Sequence, residues 1–335
     1  MTSFSENRYD LMKYRLCGAS GLKLPLISLG LWQNFGADGN YETQRGIVHR
    51  AFEVGITHFD VANVYGPPAG GSEKILGKIL SDGLGVHRHE LVISTKAGYR
   101  AWAGPYGDGG SKKNIITSCD QSLQRTGLDY FDIFYHHRMD TEVPVAETMA
   151  ALDQLVRQGK ALYIGVSSHT PAHFCSAVRA IEAKNLTPLT TFMSRYNLLQ
   201  RQDDWEKWPV AAAEGAAGVA FCPLAQGLLT KKYLGETPVP GSRMAKELAS
   251  ASPESNIRRQ VERARALNDI AIARGQTLAQ MSLAWVLRLQ SVASALIGAS
   301  SAAQVEENVG TLKKLEFTAD ELAQIDAITI PSPRY

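Results

Sequence analysis

Four side chains able to move a proton recur at one structural phase of this sequence. Asp60 closes the short β-rich run THFD, and Tyr65 follows five residues later in a turn marked by Gly66, Pro67 and Pro68. LVISTKAG repeats the arrangement with Lys96, and DIFYHHR repeats it with His137. A free tyrosine, with its pKa near 10, is a poor acid at neutral pH, but a neighbouring ammonium would stabilise the phenolate and lower that value. An aspartate beside the lysine would hold it charged and fixed. A histidine at the same reacting oxygen would orient a carbonyl. The sum is a phenolic general acid able to protonate an alkoxide as a hydride reaches carbon. Each residue alone has a plainer reading: Asp60 as a turn cap, Tyr65 as rim packing, Lys96 as a solvated strand end, His137 as a satisfied core histidine. Their shared position just past consecutive strands argues for one cluster at one end of a parallel sheet.

The elements that must position them are countable. LMKYRLCGASGLKLP reads as a hairpin around a Gly-Ala-Ser-Gly turn, suited to closing the bottom of a barrel. From Leu26 onward, apolar runs of strand length (LISLGLW, THFD, LVISTK, YFDIFYHH, ALYIGVSS, LTTFMSRYN, GVAFCPLA, ASALIGAS) alternate with amphipathic segments of helical period. One of those helical segments is DWEKWPVAAAEG, and a long polar loop of roughly residues 226–252 follows the seventh strand. Eight units predict an α/β fold, a closed (β/α)8 TIM barrel, with residues 1–335 as one domain. The rival, a doubly wound open sheet, would want a GxGxxG turn after an early strand, and there is none.

Composition excludes other classes. The formal charge is +2, with no basic tract longer than a pair, so no nucleic-acid partner is expected. No apolar run approaches a membrane span and the N-terminal residues lack a leader's apolar core, so the expectation is a cytoplasmic protein without a membrane partner. Cys17, Cys119, Cys175 and Cys222 are far apart and form no CxxC, which reads as reduced, mostly buried thiols. GPPAGGS lacks the Gly-Lys-Ser/Thr ending of a P-loop. His87 and His89 precede a strand and so lie at the wrong end of the sheet. His136 points away from His137 by strand alternation. No metal is expected.

THFDVANVYG, ISTKAG, DIFYHHR and IGASSAAQVEENVG resemble the signatures of the aldo-keto reductases, over about residues 14–328. YRLCGASGLKLP, SLGLWQNFG, YGPP and CPLAQGLLTKKY are similar to the branch of bacterial glyceraldehyde-3-phosphate reductases and to their relatives, the voltage-gated potassium-channel β subunits. The resemblance implies Tyr65 as proton donor, Lys96 and Asp60 as its tuning pair, and His137 as the group that orients the carbonyl. It also implies NADPH held without a Rossmann turn. The matching positions are Leu31 and Trp32 after the first strand, Asp60, and Ser167 and Ser168 after the fifth. Past the seventh strand come Phe221, Cys222, Pro223, Leu224, Gln226, Gly227, Lys232 and Arg243, and after the eighth Gly298, Ser300, Gln304, Glu307 and Asn308. A helix N-terminus after the GAS turn offers N–H groups to a phosphate, and Lys232 and Arg243 offer cations. Met193 stands where the branch usually has a glutamine contacting the nicotinamide carboxamide, and a thioether cannot donate a hydrogen bond.

The Gly-rich stretch YRAWAGPYGDGGSKK reads as a substrate lid, with Trp102 and Tyr106 covering an aldehyde and Lys112 or Arg138 near a substrate phosphate. Trp32, Tyr65 and His137 complete the expected substrate contacts. The expected activity is NADPH-dependent reduction of small polar aldehydes such as glyceraldehyde 3-phosphate or methylglyoxal. The alternative is a regulatory subunit that senses nicotinamide state. His137 leans toward the enzyme, because the channel subunits carry asparagine there. The resemblance further implies a homo-oligomer, a tetramer or octamer.

Overall fold

The computed structural model describes residues 4–330 apart from 236, 238, 243 and 253. Strands β1 (Tyr14–Leu16) and β2 (Lys23–Pro25) form the expected antiparallel hairpin. Its Cys17 and Leu24 pack with Ile133, Tyr135, Val219 and Ala293 of the barrel interior, and Arg15 donates to the carbonyls of Leu287 and Leu289. The hairpin is thus a plug under the barrel.

Eight parallel strands follow: β3 (Ile27–Gly30), β4 (His58–Asp60), β5 (Val92–Ala97), β6 (Phe131–His136), β7 (Ala161–Ser167), β8 (Leu189–Arg195), β9 (Ala217–Phe221) and β10 (Val292–Ile297). They close in the order β10-β3-β4-β5-β6-β7-β8-β9. Both faces of such strands are covered, which is why they read as near-continuous apolar runs. On β6, Ile133 and Tyr135 face the interior cluster while Phe131 and Phe134 join the cluster packed under the helices.

The helices are α1 (Tyr41–Glu53), α2 (Gly71–Ser81), α3 (Lys112–Thr126), α4 (Val145–Arg157), α5 (Pro171–Lys184), α6 (Trp208–Ala213), α7 (Ala245–Ser250), α8 (Asn256–Ala273), α9 (Leu278–Leu287), α10 (Ala302–Val309) and α11 (Ala319–Thr329). Side-chain caps start several of them: Asn40, Ser111, Thr170 and Ser301 each accept from a backbone N–H three residues on.

Three segments depart from the sequence-based expectation. The helix expected across DWEKWPVAAAEG is only α6, because residues 202–204 turn as a 3-10 helix and Pro209 falls in the first turn of α6. The polar loop after β9 contains 3-10 turns at Ala225–Gly227 and Lys231–Tyr233 and the short α7. α11 follows the eighth unit and lies beyond the eight units the sequence predicts, although its capping box, Thr318 with Glu321, is a readable start signal.

Candidate active site

Parallel register brings the ends of β4, β5 and β6 to one height: Asp60 pairs with Ser94, and Lys96 with Tyr135. Asp60 and Lys96 are both fully buried. Lys96 Nζ donates to Asp60 Oδ2 and, at 2.8 Å, to the carbonyl of Val61, while Ser94 Oγ donates to Asp60 Oδ1 at 2.6 Å. The ammonium lies 4.7 Å from the centroid of the Tyr65 ring. The rings of Tyr65 and His137 stand edge to face with centroids 5.7 Å apart. Tyr65 is presented by a turn in which its carbonyl accepts from Ser72 N at 3.1 Å and Gly66 takes φ +79°. A Cβ on Gly66 would lie 2.6 Å from the carbonyl oxygen of Phe35, so this turn needs glycine.

The expected net lowering of the phenol's pKa is not seen. Burial, reinforced by the negative Asp60, pushes Tyr65 well above its ordinary value, so the phenol is held neutral. Burial together with the nearby Lys96 pushes His137 well below 6.5, leaving a neutral imidazole whose buried Nδ1 has no hydrogen-bond partner among the described residues. Burial also lowers Lys96, against the opposing pull of Asp60. The cluster therefore offers a neutral phenol and a neutral imidazole N–H to a reacting oxygen.

A cavity of about 1230 Å³ opens from Tyr65 and His137 and runs along β9, the loop after it and the start of α10. Strained backbone gathers beside it: Ser168, Cys222, Ala225 and Gln226 are non-glycine residues at φ between 48° and 57°. Its wall carries Arg195, Lys207, Lys231 and Lys232, and Ser242, whose buried hydroxyl has no partner among the described residues. At the far end Ser301 caps α10, and Gln304 Oε1 accepts from Ser300 N at 2.9 Å. A long wall with cations, an unpaired hydroxyl and a helix N-terminus fits a large anionic ligand. The description "Aldo/keto reductase family" matches residues 26–330 of this chain.

The chain belongs to the aldo/keto reductase family. Proteins named "L-glyceraldehyde 3-phosphate reductase" from Escherichia coli O157:H7 and from Escherichia coli strain K12 are each 48% identical to it over 323 residues, covering 95% of this chain and 93% of theirs. A Schizosaccharomyces pombe protein named "Putative voltage-gated potassium channel subunit beta" is 34% identical over 325 residues, covering 94% of this chain and 92% of its own.

In this aldo/keto reductase the cavity wall includes the expected Trp32, Asp60, Tyr65, His137, Ser167, Ser168 and Met193. It also includes Phe221, Cys222, Pro223, Leu224, Gln226, Gly227 and Lys232, and further along Gly298, Ser300, Gln304, Glu307 and Asn308. Leu31 is instead buried behind the wall, its N–H on the carbonyl of Asp60. Arg243 lies outside the described residues. The expected lid does not reach the cavity: Trp102, Tyr106, Lys112 and Arg138 are not on its wall. Arg138 is tied to Gly98 O at 2.9 Å and Asp108 at 2.7 Å, the Lys113 ammonium sits over the Tyr106 ring, and the N–H of Lys112 bonds Glu147. From that stretch it is Tyr99 that lines the cavity, edge-on to His137 with ring centroids 4.7 Å apart. Sequence reasoning passed over Tyr99, although it follows β5 just as Tyr65 follows β4. It also passed over Lys207, Lys231 and Ser242, for which the sequence carries no local signal. His136 turns away from the cavity and meets His169 at 3.3 Å. Among the described residues no group of three or more His, Cys, Asp or Glu side chains is placed to hold a metal ion, and no helix is long and apolar enough to cross a membrane.

Proposed function

We propose that this aldo/keto reductase reduces small polar aldehydes to primary alcohols with NADPH, Tyr65 supplying the proton. The observation that carries the reading is the convergence of Tyr65, His137 and the buried Lys96–Asp60 pair at the head of a cavity long enough for a dinucleotide. The bound nicotinamide would supply the hydride. His137, kept neutral by its burial, donates an N–H to the aldehyde oxygen and fixes its direction. Tyr65, kept protonated by its burial, parts with its proton only as negative charge builds on that oxygen. Lys96 then balances the phenolate through its position against the ring, and Asp60 keeps Lys96 charged and in place.

Lys231 and Lys232 would face the pyrophosphate, and Ser300 and Gln304 a 2′-phosphate, which favours NADPH over NADH. The names of the 48% identical relatives favour glyceraldehyde 3-phosphate as the first aldehyde to test, with methylglyoxal as the unphosphorylated comparison. The test is a fluorescence titration with NADPH and NADH, followed by addition of each aldehyde while reduced nicotinamide is monitored. Tighter binding of NADPH and many turnovers per protein molecule are expected. Oxidation of a single equivalent would replace the reading with a nicotinamide-sensing subunit.

A further inference from the structure

Beneath Asp60 the barrel interior holds a row of polar groups on four strands where apolar filling is the rule. Ser94 Oγ donates to Asp60 Oδ1 at 2.6 Å. His58, fully buried and two residues before Asp60 on β4, places Nε2 2.9 Å from Ser94 Oγ and Nδ1 2.8 Å from Ser28 Oγ. Ser28 Oγ lies 2.6 Å from Ser294 Oγ, which in turn lies 3.4 Å from the carbonyl of Leu26.

Counting hydrogens sets the direction of this chain. Ser94 spends its one hydrogen on Asp60, so it must accept from His58, and Nε2 carries the proton. Nδ1 is then an acceptor, so Ser28 donates to it and accepts from Ser294, whose one hydrogen goes to Ser28 at 2.6 Å and not to the carbonyl of Leu26 at 3.4 Å. Burial pushes His58 down to about 4, which keeps the imidazole neutral and able to play both parts. Reversal would turn every hydrogen toward Leu26 O and leave the Asp60 carboxylate without its second donor.

We infer that Ser294, Ser28, His58 and Ser94 form a polarised hydrogen-bond relay that fixes the Asp60 carboxyl group in place, making His58 and Ser94 positioning residues for Lys96 and Tyr65. The relay acts through Asp60 and touches neither substrate nor cofactor; its kinetic consequences rest on the proposed role of Tyr65. Aligned hydrogen bonds strengthen one another, so loss of one link is felt at the end of the chain.

The test has a spectroscopic and a kinetic arm, both on the full-length protein. With 15N-labelled histidine, the His58 resonances, assigned by their loss in His58→Asn, should report Nε2–H and a bare Nδ1. In Ser28→Ala that pattern should become mixed. Ser94→Ala should lower kcat about tenfold, with the aldehyde KM and the NADPH Kd within about twofold, and Ser94→Thr, which keeps the hydroxyl, should recover most of the loss. Ser28→Ala should lower kcat about threefold in the same pattern, and it decides the kinetic arm if Ser94→Ala does not fold. An Nδ1–H tautomer in the parent protein, or unchanged kcat in Ser28→Ala together with an unchanged tautomer, overturns the relay. A fully active Tyr65→Phe would overturn the role of Tyr65 and leave the tautomer result standing by itself.

Discussion

The ends of β4, β5 and β6 and the wall formed by β9, its loop and α10 border the same cavity but are built in opposite ways. At the strand ends, Asp60, Lys96 and His137 are buried, at most 7% exposed, and Asp60 and Lys96 sit in dense hydrogen bonding. Along the wall, Cys222, Leu224, Gln226, Gly227 and Lys232 are half-buried or exposed, and backbone strain replaces side-chain networks. The proposed proton delivery would need fixed protonation states and short distances, which burial supplies. The proposed dinucleotide would need a long accessible surface, which burial would forbid.

Substitutions on the two sides should therefore separate. Lys96→Met strips the counter-charge from a buried carboxylate, which costs about 3–5 kcal/mol. Thermal unfolding should show a fall of several degrees, and turnover should drop by about a thousandfold or more. Adding Asp60→Leu should restore the melting temperature without restoring turnover. Recovery of both would mean that the pair is structural only.

Acid should also attack the strand ends. His58 is pushed down to about 4, His169 to about 4 and His136 to about 3, each mainly by burial. Unfolded histidine titrates near 6.5, so between about pH 6.5 and pH 4 the unfolded chain binds protons that the folded chain refuses. Stability should be fully present above pH 6.5 and decline as pH falls, by up to about 1.4 kcal/mol per unit for each histidine. Denaturant midpoints measured from pH 7 to pH 5 check this, and a flat profile would contradict it.

On the wall, effects should be smaller and confined to binding. Lys232→Ala should weaken NADPH about tenfold with kcat unchanged and a melting temperature within about a degree of the parent. The smallest effect is expected from Met193→Gln, which replaces a thioether on the wall by an amide donor and should tighten NADPH by about two- to fivefold. A change in kcat from either substitution would blur the distinction between the two regions.

The same contrast explains what could be read in advance. Strand spacing and the phase of Asp60, Tyr65, Lys96 and His137 are local patterns, and the barrel closes as they required. Glycine and serine after β7 and β10 marked the wall for a similar reason. Lys207 reaches the cavity only because residues 202–204 turn before α6 and Asp203 holds the ammonium at 3.1 Å. That geometry depends on tertiary contacts that no spacing encodes. The Gly-rich, aromatic composition of residues 99–113 suits a lid as well as a loop pinned by Arg138 and Asp108, and composition alone does not tell the two apart. That burial raises the phenol of Tyr65 likewise depends on the depth of the site, which the sequence does not state.

The proposed role of Tyr65 as proton donor is tested by Tyr65→Phe, with kcat for aldehyde reduction and the NADPH dissociation constant measured on the same preparation. A loss of about 10²–10⁴ in kcat is expected, with cofactor affinity unchanged. Turnover at the parent rate, or a loss explained entirely by weaker NADPH binding, would contradict it.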